Sequence, residues 1–135
     1  MRLVFDTNVL FAAYISRGAC AALYEQSLAA ETLLTSEAIL AEFEEKLIAK
    51  ANVPADEAAA VRRQTAADAI VVAPVALAAP VCRDADDDVI LGTAIAAHAD
   101  LIVTGDKDLI VLGSYEGIPI VTPAACLARL CGEAS

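Results

Sequence analysis

Five short runs of β-branched and leucine-rich residues punctuate the chain: RLVF (2–5), TLLT (32–35), AIVVA (69–73), LIVT (101–104) and IPIVT (118–122). Between them, apolar residues recur at helical spacing over about 8–15, 18–30, 36–50, 54–67, 86–98 and 123–132, and this alternation constrains the fold more than any other feature. Strand runs that are apolar throughout are expected to be covered on both faces, as in parallel sheets flanked by helices. The expectation is therefore an α/β fold of three layers, α/β/α, around a parallel sheet of about five strands. Ser36 and Pro123 read as helix starts, the second through the preference for proline in a first turn. In sheets of this kind, sites form beyond the carboxyl ends of the strands, near the point where strand order reverses.

The length of 135 residues suits a single domain over 1–135, and no repeat, linker or composition break divides it. Apolar residues make up 59% of the chain but only six are aromatic, so the core should be aliphatic with closely approaching helices. The longest uncharged apolar run, Ala69 to Cys82, carries Pro74 and Pro80 and falls short of the roughly 20 residues of a membrane span. The opening MRLVFDTNVL lacks a signal-peptide pattern, which makes the cytoplasm the expected location. Cys20, Cys82, Cys126 and Cys131 form no CxxC pair, and the only histidine is His98, so buried free thiols are expected and zinc is not. A net charge of −10 argues against a broad phosphate-binding surface. The acid is either solubilising surface or is partly gathered in a pocket for cations or a basic partner.

Asp6 follows the first strand in LVFDTN and Asp106 follows the fourth in LIVTGD, so parallel strands would bring both carboxylates to one sheet edge. Either one alone reads as a turn or N-cap aspartate. Both together at that edge read as a site. In RDADDDVILGTAIAA (83–97), a helix starting near residue 86 puts Ile90, Leu91, Ala94 and Ile95 at about 300°, 40°, 340° and 80° from Asp87, so Asp87 points with the core stripe. Asp88, at about 100°, sits on the shoulder of that stripe, while Asp84 and Asp86 stand where helix starts favour acids. A carboxylate on a buried face needs a partner or a metal, and no Lys or Arg lies within a turn on that face. A calcium loop is excluded, because Val89 and Ile95 stand where its Gly and Glu belong. In TSEAILAEFEEKL (35–47), Ile39, Leu40, Phe43 and Leu47 define a buried face with Glu42 and Glu44 on opposite flanks, and periodicity does not choose between them.

These residues, with VFDTNVL at the start, SEAILAEFEEKL after the second strand, DADDDVILGTAIAAHADLIVTGDKDL in the second half and the closing GIPIVTP, resemble the PIN-domain family, in particular its short stand-alone VapC-type members. The resemblance covers essentially the whole chain. It implies an acidic quartet of Asp6, Glu42, Asp87 and Asp106, with Asn8 and Thr104 as supporting polar residues. Asp108 stands as either an outer metal ligand or a helix-start aspartate. It implies further a Mg²⁺- or Mn²⁺-dependent endoribonuclease with one or two ions, acting as the toxin of a toxin–antitoxin pair, with RNA as substrate and a cognate antitoxin as partner. Oxygen-only ligands agree with such hard ions. Basic residues near the proposed edge are few, namely Arg17, Arg83 and Lys107, and a homodimer would supply more basic surface.

Two other readings compete. A haloacid-dehalogenase- or receiver-like phosphohydrolase also places Asp after its first strand, but DTN lacks a second acid two residues on and no lysine ends a late strand. A PIN-like module kept for binding alone is disfavoured by the intact acids.

Overall fold

A computed structural model describes residues 1–132, so the last three residues of the domain expected over 1–135 lie outside those described. The chain runs β1 (Arg2–Phe5), α1 (Thr7–Ile15), α2 (Ala19–Ala30), β2 (Thr32–Thr35), α3 (Glu37–Ala51), α4 (Ala55–Asp68), β3 (Ile70–Val71), α5 (Ala85–Ala96), β4 (Leu101–Val103), α6 (Lys107–Ile110), β5 (Ser114–Tyr115), β6 (Ile118–Val121) and α7 (Pro123–Leu130). One sheet orders its strands β3-β2-β1-β4-β6-β5. The first five of these are mutually parallel, with Val4 beside Leu34 on one side and Ile102 on the other.

Leu3, Val4 and Phe5 are all essentially inaccessible, as are Leu101, Ile102 and Val103. Consecutive burial requires cover on both faces, which the helices provide. From β1 the chain crosses twice in one direction, to β2 and β3, and then returns to β4 on the other side of β1. With right-handed crossovers, α1–α4 cover one face and α5 the other. The strand order therefore reverses between β1 and β4, the two strands that precede Asp6 and Asp106.

Three local expectations need correction. The third strand is two residues rather than 69–73, and it is an edge strand with Ile70 and Val71 exposed rather than buried. Pro74, which has no N–H to give a ladder, stands just beyond it. A sixth strand, β5, pairs antiparallel with β6 through a two-residue turn in which Glu116 (φ 51°) and Gly117 (φ 79°) are both left-handed, the type I′ geometry of hairpins. The short helix α6 was also not anticipated, although its start is the Asp108 alternative considered above.

Gly92 fixes how α5 is covered. The loop after β3 lies so close that a Cβ on Gly92 would meet the Val75 carbonyl oxygen at 2.3 Å, and Val75 N–H donates to the Gly92 carbonyl at 3.1 Å. Only a residue without a side chain fits there.

Candidate metal centre

The aspartates are delivered by helix starts, whereas Glu42 stands within α3. Asp6 caps α1, with Oδ1 accepting from Asn8 N–H at 3.3 Å. Asp84 caps α5 by accepting from Asp86 N–H, and Asp106 caps α6 by accepting from Asp108 N–H at 2.8 Å. Ser36 caps α3 and also accepts a hydrogen bond from Thr93 in the later half of α5, so the start of the helix bearing Glu42 is tied to the helix bearing Asp87. These caps follow from Asp and Ser satisfying the free N–H groups of a first turn.

Asp87, Asp106 and Asp108 each bring a carboxylate oxygen to within 4.8 Å of the others. Asp87 is only 7% exposed. Burial first, then the charges of Asp106, Asp6, Asp84 and Asp108, push its pKa up to about 7. Asp6, buried on β1's edge, accepts from the Thr104 hydroxyl at 2.6 Å, and the same oxygen of Thr104 accepts from Asp106 N–H at 2.9 Å. Thr104 is thus the strut between the two strand-end aspartates.

The other expected residues fall as follows. Glu42 lies outside the three-carboxylate grouping, beside Thr7, Asp86 and Lys46, and its pKa is raised by burial, opposed by the Thr7 hydroxyl and the Lys46 charge and reinforced by Asp86. The side-chain oxygen of Asn8 accepts from Lys46 Nζ at 2.6 Å, and its backbone N–H donates to Asp6. Arg83 pairs with Asp108 at 2.8 Å. Lys107 is exposed on α6 between Asp106 and Asp108. Arg17 is not brought to the acids; it lies past the end of α1, roughly 13 Å of helical rise from Thr7. Asp88 accepts from the segment before α5, from Val81 N–H at 3.1 Å and Cys82 N–H at 2.8 Å. Burial opposes its ionisation, but the N–H groups of Cys82 and Val81 outweigh it and hold its pKa below the usual range.

A profile of the PIN domain matches residues 2–108. The chain belongs to the PIN-domain family. The fold agrees: the crystal structure of VapBC2 from Rickettsia felis bound to a DNA fragment from their promoter contains a similar chain, with a TM-score of 0.64 at 14% identity, over 90% of this chain and 98% of that one. No curated protein sequence matches.

In this PIN domain the donor set suits a hard divalent cation. A carboxylate as enclosed as Asp87, with no Lys or Arg against it among the described residues, carries an uncompensated charge when ionised. Its neighbours are oxygen donors, which favour Mg²⁺-like ions over zinc. The sequence reading missed three residues at the centre: Thr7 and Asp86 beside Glu42, and Lys46. The i,i+4 spacing of Glu42 and Lys46 on α3 was the signal available for the last.

Proposed function

We propose that this PIN domain is a metal-dependent endoribonuclease and the toxin of a VapC-type toxin–antitoxin pair, working in the cytoplasm with one or two Mg²⁺ or Mn²⁺ ions. The observation that carries the reading is the buried Asp87 carboxylate facing Asp6, Asp106 and Asp108 at the β1/β4 switch. The chemistry such ions supply when bound is a water acidified for in-line attack on a phosphodiester, with the charge on the leaving oxygen offset. Asp87, Asp106 and Asp108 would hold the cation, and Asp6, fixed by Thr104, would complete the set. Glu42, beside Thr7 and Asp86, would accept a proton from an incoming water or orient it.

The antitoxin expected from this centre is basic where it covers the acidic edge, with an Arg or Lys inserted among the carboxylates. The VapBC2 complex with promoter DNA makes such a partner a natural one to seek. A homodimer, which would bring further cations to the site, belongs to the same reading. Inducing the parent chain and Asp6→Ala in cells and mapping RNA ends tests it. Growth arrest with new metal-dependent RNA ends for the parent alone supports the assignment, whereas equal behaviour of the two contradicts it.

A further inference from the structure

We propose that Lys46 is an RNA-phosphate contact on the α3 side of the centre, an inference that rests on the ribonuclease reading. Nine Lys and Arg serve a chain of net charge −10, and several are committed elsewhere. Arg2 donates to the Ala97 carbonyl and Arg62 to Glu37 and Glu44. Lys46 is different: its ammonium stands on the side chain of Asn8, two residues from Asp6, and 4.0 Å from Glu42 Oε1. That separation is too long for a hydrogen bond, so its short contact is to a neutral acceptor, Asn8 Oδ1 at 2.6 Å. An ammonium has three N–H donors, and those remaining have no protein acceptor among the described residues.

The side chain is only 22% exposed, so its charge is held in place rather than swept through solvent. It is anchored on Asn8, whose backbone N–H supports Asp6. Lys46 therefore lies on the β2 side of the β1/β4 switch, and Arg83 and Lys107 lie on the α6 side. A single strand laid across the crevice meets a cation on either flank while its scissile phosphate sits over Asp6, Asp87 and Asp106. Positive charge at these two flanks compensates for the sparse basic surface without requiring a basic patch, and it fixes position rather than sequence.

The test uses a labelled mixed-sequence single-stranded RNA. In an Asp87→Asn background, which prevents cutting, anisotropy titrations in Mg²⁺ are run over a salt series for Lys46, Lys46→Met, Lys46→Arg and the control Lys50→Met on the same helix. The expected result is about fivefold weaker binding for Lys46→Met, with a dependence of log affinity on log salt shallower by about 0.7. Lys46→Arg and Lys50→Met should keep the parent slope. In the cutting-competent chain, Lys46→Met should raise KM by a similar factor, so the conclusion does not depend on the Asp87→Asn background. RNA cutting by the parent with slope and KM unchanged in Lys46→Met overturns the role of Lys46 alone. Absence of both RNA binding and cutting by the parent overturns the ribonuclease reading with it.

Discussion

The hydroxyl of Thr104 donates to Asp6 Oδ2 at 2.6 Å, joining the end of β4 to the end of β1 across 98 residues of sequence. Because the same oxygen accepts Asp106 N–H, one buried side chain ties the carboxylate of Asp6 to the backbone of Asp106, residues that follow different strands. Thr104→Val keeps the shape and removes the hydroxyl, leaving a buried carboxylate oxygen and a backbone N–H without that partner. The expected cost is about 1–3 kcal/mol in urea unfolding, with cleavage impaired. Thr104→Ser should restore most of both.

Asp87 makes metal affinity depend on pH. Its pKa in the fold, about 7, lies above the ordinary carboxylate value, so the folded chain holds this proton more tightly than the unfolded one. From this group alone, metal-free stability is highest below about pH 4 and falls as pH rises toward about 7, where the carboxylate ionises without compensation. A cation competes with that proton and binds better above the folded pKa. The rise in thermal midpoint on adding Mg²⁺ should therefore be larger near pH 8 than near pH 6, and the contrast should shrink in Asp87→Asn. Differential scanning fluorimetry at the two pH values checks this.

Gly92→Ala should destabilise the fold although alanine is the better helix former. The added methyl would meet the Val75 carbonyl at 2.3 Å, so the loop over α5 must shift. A cost of about 1–3 kcal/mol in chemical denaturation is expected, more than offsetting alanine's helix preference of about 1 kcal/mol. An unchanged or raised midpoint would show that the loop moves freely off the helix.

What the sequence disclosed and what it hid follow from the range of the interactions. The direction of Asp87 was legible because it depends on the phase of one helix against Ile90, Leu91 and Ala94, all of which are buried. The parallel strands were legible for a similar reason: β4 is apolar at every position and β1 at every position after Arg2. Glu42 could not be separated from Glu44 by periodicity, since both flank the buried face; only the resemblance chose it, and its neighbours Thr7 and Asp86 come from other elements. The contact between Asn8 and Lys46 was not legible because the two stand 38 residues apart on different helices. The β5–β6 hairpin was missed because Glu116 adopts a left-handed backbone conformation that its side chain does not advertise.

The direct measurement of the central claim is Mn²⁺-dependent cleavage of an RNA pool by the purified parent, Asp87→Asn and Asp84→Asn. Asp87 faces the other carboxylates from a buried position, while Asp84 spends its side chain capping α5, a task asparagine performs as well. The expected result is a loss of more than about a hundredfold for Asp87→Asn, with its fold retained by circular dichroism, and little change for Asp84→Asn. Cleavage by Asp87→Asn at the parent's rate would contradict the assignment of this centre.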